Sequence, residues 1–176
     1  LLKMSDICIG FDGFVDHLYH AVQKRMDRKA YIPFATLKEF GQKIEKASLK
    51  SCNIESVLLH SHLGGNAPLI TLGLSSFSYS LSLIGCLGYP ALHPLFAPLE
   101  KSSVSLYSLG DPGTTLAYEF QDGKLLLGTM NDVMNLTFQE SLHRFPHLQK
   151  LLHESPFWVT VNWTMSPLVQ EFWSIL

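Results

Sequence analysis

Charge is scarce in this sequence. Asp, Glu, Lys and Arg account for 16% of its 176 residues and hydrophobic side chains for 47%, whereas an ordinary soluble domain is about one-quarter charged. So few solvating groups leave more apolar surface than a self-contained domain needs, which predicts a piece whose apolar flank packs on another segment or on a second copy. Nor is there an excess of positive charge. The formal net charge is -2, so neither nucleic acid nor an anionic membrane is an expected partner. The basic cluster Lys24, Arg25, Arg28, Lys29 is interrupted by Asp27 and reads as a solvated turn. No apolar run reaches the ~18 residues of a membrane span. The stretch from Leu1 to Gly10 is too short and wrongly flanked for a secretory signal, so a soluble, cytoplasmic protein is the default expectation. Internal repeats and low-complexity linkers are absent too, and the length suits one domain with a real core.

Cysteine is equally sparse. Cys8, Cys52 and Cys86 lie far apart with no C-x-x-C pair, and are expected to be small core residues in a reducing compartment. Asn135-Leu136-Thr137 and Asn162-Trp163-Thr164 match the glycosylation pattern, which without a secretory signal is read as chance. His60-Ser61-His62 aims two imidazoles to one side of a strand but lacks a third ligand, and His143 with His147 lacks the acidic residue of a zinc helix. No metal site is expected.

What the chain does have is a repeated passage from apolar run to glycine. Ile7-Cys8-Ile9-Gly10-Phe11 reads as a strand buried on both faces, with Asp12 and Asp16 just beyond it, where open α/β sheets place ligand-binding groups. A second apolar run, Glu55 to Leu63, ends at Gly64-Gly65-Asn66-Ala67-Pro68. Two glycines permit positive φ and close approach of a ligand. Asn66 is expected as the N-cap, with Ala67, Ile70, Leu74 and Phe77 on one buried face. The free N–H groups of such a helix start favour a polar ligand. Thr36 to Lys50 reads as an amphipathic helix capped by Thr36, with Leu37, Phe40, Ile44 and Ala47 buried. Ser80 to Ile84, Val104 to Leu109 and Phe157 to Val161 are further strands. Short helices are expected at Pro94 to Leu99, over Leu136 to Leu152 with a break at Pro146, and from Met165 to the last residue. Alternation of this kind predicts βαβ units and a parallel sheet. The stretch from Thr114 to Thr129, turning at Asp122-Gly123, is a hairpin added to that sheet. Dinucleotide binding at Gly85 and Gly88, with Asp111 downstream, fails because the third glycine of G-x-G-x-x-G is missing and no helix opens at Tyr89-Pro90.

Taken in order, Gly10 to Asp16, Gly64 to Pro68, the Gly85 to Gly88 turn and the Asp122-Gly123 hairpin resemble the N-terminal half of a PfkB-type carbohydrate kinase, the ribokinase-like family. The resemblance implies an α/β fold with a mostly parallel three-layer sheet and a small β lid, the C-terminal half missing. It makes residues 1–176 the N-terminal part of a single domain with lid segments near 14–22, 55–63 and 114–129. Asp12, Asp16, Gly64, Gly65 and Asn66 would hold the hydroxyls of a sugar or nucleoside, and the complete enzyme would use ATP and Mg²⁺. Two departures stand out: the glycines and Asn66 are more closely spaced than is usual, and the family's later Gly-x-Gly-Asp segment, which carries the anion hole and catalytic base, does not occur. No catalytic residue is therefore expected in this chain, which alone should be inactive. The alternative is a non-catalytic binding module, or one that forms a homodimer through the lid.

Overall fold

The computed structural model describes residues 6–174, whose contacts fall into two compact units. The first comprises residues up to Val15, Leu63–Thr114 and those from Thr129 on; the second comprises Asp16–His62 and Thr115–Gly128.

The first unit is built on a parallel sheet. Strands β1 (Ile7–Phe11), β5 (Leu81–Gly85), β6 (Val104–Ser108) and β9 (Phe157–Thr160) lie in the order β6-β5-β1-β9, with Ile7 level with both Leu81 and Phe157. All of β5 and most of β1 are buried, as expected of strands covered on both faces. Side-chain alternation divides the core in two. Cys8 and Ile84 face helices α3 (Asp132–Asn135), α4 (Phe138–Arg144), α5 (Leu148–Glu154) and α6 (Leu168–Trp173), through Val133, Leu148, Leu151 and Phe172. Ile9 and Leu83 face helix α2 (Asn66–Leu74) together with Phe96 and Leu99. Three layers result. Gly13 is needed where β1 ends, because a Cβ there would run into the Cys86 carbonyl.

The second unit carries β3 (Tyr31–Pro33) and most of β2 (Phe14–Arg25), β4 (Ser56–Gly64), β7 (Gly113–Phe120) and β8 (Gly123–Thr129). The sheet order is β3-β2-β7-β8, with β4 also paired to β2. One face packs on helix α1 (Leu37–Glu45): Ala21, Phe34 and Phe40 form a cluster closed by Tyr118, Phe120 and Leu125. The Asp122 carboxylate accepts the Leu37 N–H at 2.7 Å, so the β7–β8 turn secures the first turn of α1.

Several expectations are corrected. Helix α1 stops at Glu45, not Lys50, and Ile44 is 49% exposed. Thr36 does cap it, accepting the Glu39 N–H, but only Phe40 of the apolar stripe is buried, so nothing holds the later turns. The short helix expected at Pro94 to Leu99 is only a three-residue 3₁₀ turn, Ala97–Leu99. The break expected at Pro146 is present, since α4 ends at Arg144 and α5 starts at Leu148, while a capping box of Thr137 and Glu140 starts α4 at Phe138. The last helix, α6, spans Leu168–Trp173, within the expected Met165 to Leu176; residues 175 and 176 lie outside the described residues. Cys8 and Cys86 are buried, and burial pushes the Cys86 thiol up to about 12. Cys52 is instead exposed, in the loop after α1. The basic turn is solvated as expected, with Asp27 accepting the Lys29 and Ala30 N–H groups. Among the described residues no helix is long and apolar enough to cross a membrane.

Candidate functional site

The glycine pair lies where β4 gives way to α2. Gly64 is buried and ends the strand, and Gly65 is the N-cap with φ 91°. Asn66, expected as the cap, is the first helical residue, because Gly65 adopts the non-helical conformation that a cap needs. A Cβ on Gly65 would sit 3.2 Å from Gly13 Cα and 3.3 Å from Asp12 Cγ, in a left-handed conformation. Gly65→Ala is therefore expected to cost about 1–3 kcal/mol from backbone strain alone, read as a lowered melting temperature. An unchanged melt would mean that the turn relaxes freely.

The N–H groups of this helix start are not free. Asn66 and Ala67 donate to the two carboxylate oxygens of Asp12 at 2.8 and 2.7 Å. Pro68 has no N–H, and Leu69 already donates to the Gly65 carbonyl. The donors left open at a helix N-terminus are thus satisfied by the chain itself, and the Asp12 charge opposes the positive end of the helix dipole. This corrects the expected ligand-facing helix start. Asp12 is fully buried, and a third donor, Asn162 Nδ2, reaches it at 2.8 Å. Burial pushes the Asp12 carboxyl above its ordinary value, against the pull of the three donors. Asp12 is therefore a clasp between β1, α2 and Asn162, two residues past the end of β9. Of the expected site residues in this unit, the Asn66 side chain is exposed.

Asn162 was missed in the sequence, where it appears only in a chance glycosylation motif. Its φ of 59° is one that Asn tolerates better than most residues, and continuing the pairing of Gly10 with Thr160 puts it level with Asp12. A second network was also missed. Arg144 Nη1 donates to Asp132 at 2.6 Å and to the Leu109 carbonyl at 2.9 Å, and its guanidinium lies 4.8 Å from the Tyr89 ring centroid. Asp132 also accepts the Asp111 N–H, and Asp111 accepts that of Tyr89. Asp111, the acidic residue considered for dinucleotide binding, thus ties down the loops after β5 and β6.

Asp16 belongs to the second unit and faces a pocket of about 470 Å³ on the sheet face opposite α1. Alternation explains the lining: Asp16 and Leu18 of β2, His60 and His62 of β4, and Glu119 and Lys124 of β7 and β8 project to one side, while Tyr118, Phe120 and Leu125 project to the other. Glu119 is ion-paired with Lys124 at 2.5 Å, and that bond holds its carboxyl below the usual value. The half-buried Asp16 side chain has no hydrogen-bond or ion-pair partner among the described residues. His60 and His62 lie 5.5 Å apart, and no group of three metal-ligating side chains occurs among the described residues. The pocket combines carboxylates, imidazoles, Thr115 and Lys124 with the apolar Leu18, Ala117 and Leu126, a combination suited to a small polyhydroxylated molecule.

A profile of the prokaryotic ketohexokinase family matches residues 1–154. The chain belongs to that family. A curated relative, the ketohexokinase of Haloferax volcanii, is 29% identical over 132 residues, which cover 74% of this chain and 35% of that protein. Among solved structures, a probable sugar kinase from Rhizobium etli superimposes with a TM-score of 0.57 at 10% identity, over 99% of this chain and 53% of its own. A PfkB protein from a Polaromonas species does so with a TM-score of 0.52 at 7% identity, over 98% and 52%. At such identities the likeness speaks for the fold, which is ribokinase-like. This ketohexokinase-family chain spans about half the length of those solved relatives and about a third of the curated one.

Proposed function

We propose that this chain supplies the sugar-binding part of a kinase that moves a phosphoryl group from ATP, with Mg²⁺, to a hydroxyl of a ketohexose. The observation that carries the reading is Asp16, a carboxylate with no protein partner among the described residues, in a pocket of about 470 Å³, within the range of small-ligand sites. A carboxylate accepts hydrogen bonds from adjacent hydroxyls, and the β sheet that bears it acts as a lid, keeping water from competing for the phosphoryl group. Asp12 positions the substrate segment by accepting the Asn66 and Ala67 N–H groups. Gly64, Gly65 and Asn66 are proposed as contacts through the Gly65 backbone and the exposed Asn66 amide.

The residues present do not fit ATP and its metal. The α2 N–H groups are taken by Asp12, no three-residue metal cluster occurs among the described residues, and the sequence has no Gly-x-Gly-Asp segment. Donor binding is accordingly assigned to polypeptide equivalent to the remaining length of the relatives.

Asp16→Ala should weaken fructose binding by about 1–3 kcal/mol, roughly 5- to 150-fold in affinity, measured by calorimetric titration. Unchanged affinity would overturn the assignment. It would leave the second reading, a dimerisation module, which is favoured by the exposure of Leu126 and Leu127 on edge strand β8.

A further inference from the structure

The sheet face that carries Asp16 does not end with its pocket. Side-chain alternation along β2 continues from Asp16 and Leu18 to His20, and along β7 from Ala117 and Glu119 to Gln121, one residue past the strand. A second pocket, of about 320 Å³, opens there, lined by His20, Glu119 and Gln121 and walled by Pro33, Phe34 and Phe120. All of these residues belong to the second unit.

Glu119 lines both pockets. Its Oε1 is paired with Lys124. That bond foremost, and after it the imidazoles of His60 in the first pocket and His20 in the second, hold the Glu119 carboxyl below the usual value, so the carboxylate lies within electrostatic reach of both. The two pockets are neighbours that share one acidic group. From Asp16 to His20 the strand rises by about 13 Å, more than a single sugar ring covers.

The second pocket has the chemistry of a site for a hydroxylated ring. His20 is half-buried, and its Nδ1 shares a hydrogen bond with the Tyr31 hydroxyl at 3.1 Å, the two rings meeting edge to face at 6.0 Å between centroids. Tyr31 is in turn held by Arg25, whose guanidinium lies 5.2 Å from its ring centroid. His20 is thus oriented by its neighbours, while Nε2 has no partner among the described residues and can give or take a hydrogen bond according to the tautomer. The exposed Gln121 amide also lacks a side-chain partner among the described residues, and it brings two donors and an acceptor. Donors and acceptors set beside proline and aromatic carbon suit a sugar ring, which presents hydroxyls at its rim and C–H groups on its faces. An anion does not suit the pocket, because among its described lining residues there is a carboxylate and neither lysine nor arginine. An apolar ligand would leave Glu119 and Gln121 covered and unpaired, which is costly.

We infer that His20, Glu119 and Gln121 form a second sugar subsite, contiguous with the Asp16 pocket, and that the preferred acceptor is a ketohexose bearing a second sugar unit. This rests on the reading of the Asp16 pocket as the acceptor site.

Calorimetric titration of the chain tests it by comparing fructose with turanose, lactulose and isomaltulose, which join a second hexose to different hydroxyls of fructose. At least one of the three is expected to bind tenfold or more tightly than fructose, and Gln121→Ala and His20→Ala should each remove most of that gain. Fructose, which fills the first pocket alone, should bind both variants as it binds the parent. Gln121 lies exposed in a turn, so loss of the gain in that variant does not reflect a failure to fold. The inference is overturned if fructose binds in an Asp16-dependent way and no disaccharide binds more tightly, or if the gain survives both substitutions. If neither fructose nor any disaccharide binds in an Asp16-dependent way, the function proposed above falls and the second subsite falls with it. Fructose alone therefore tells the two failures apart.

Discussion

Given fructose, ATP and Mg²⁺, the 176-residue chain is expected to transfer phosphate at least about 10⁴-fold more slowly than a complete enzyme assembled on it. A positioned general base contributes about 10²–10⁴ in rate, and each donor aimed at developing negative charge about 10²–10³. Phosphoryl transfer depends on positioning and on electrostatic stabilisation of the transferring group. On the reading proposed above this chain positions the acceptor sugar, and among the described residues no set of groups is left to receive the phosphoryl group. Asp16 is assigned to hydroxyls in the function proposed above, Asp12 is buried and triply bonded, and helix α2, which starts at the glycine pair, has its first N–H groups bonded internally. Coupled-assay turnover should sit at background for the chain alone and appear when a matching C-terminal part is joined to it. Robust turnover by the short chain that disappears in Asp16→Ala would place the catalytic machinery here and sink the prediction.

The parts of the fold legible in the sequence are those set by short-range pattern. β1 and β5 are short apolar runs because a strand covered on both faces needs no polar side, β9 is an apolar run although it is an edge strand with Phe157 exposed, and each was readable within a residue or two. The Asp122-Gly123 turn fixed the hairpin in the same way. Where a segment's extent depends on what it meets in space, the pattern misled. Ile44 and Ala47 continue the stripe of α1, yet only Phe40 finds the aromatic cluster of Phe34, Tyr118 and Phe120, so the helix ends early. The scarcity of charge did anticipate exposed apolar surface, which appears as Phe157, Trp163 and Trp173 on one edge.

The candidate site divides along the same line. Asp16 was legible through strand alternation, because the residues two apart on β2, β7 and β8 share its face. The role of Asp12 was not. Its partners lie 54, 55 and 150 positions away, and an Asp-Gly pair after a strand reads locally as a turn. Closing that contact requires the parallel crossover that sets α2 against β1, together with the pairing of β9 beside it, neither of which any local window contains.

Asp12 should therefore be the largest single contributor to stability among the residues discussed. Asp12→Ala leaves two helix N–H groups and the Asn162 amide without an acceptor in a buried place. Each buried unsatisfied group costs about 1–3 kcal/mol and a lost cap about 0.5–2 kcal/mol, so a loss of about 3–5 kcal/mol is expected even if water enters. Against a typical total of about 5–15 kcal/mol, this lowers the melting temperature by about 10 °C or more. Asp12→Asn keeps an acceptor oxygen and should cost less. The comparison with Asn also tests the charge. Because burial raises the folded value of the Asp12 carboxyl above the unfolded one, the native state holds this proton more tightly. The linked stability is fully present below the unfolded value and is lost as pH rises through the folded value. The lowered carboxyls of Asp27, Glu55, Glu119 and Glu140 have the opposite dependence but are common to both proteins, and cancel in the difference. The advantage of the parent over Asp12→Asn, taken from urea melts at a series of pH values, should thus shrink as pH rises from the ordinary carboxylate range upward. An advantage that grows with pH would mean that the three donors outweigh burial, and that the clasp works as a charged cap.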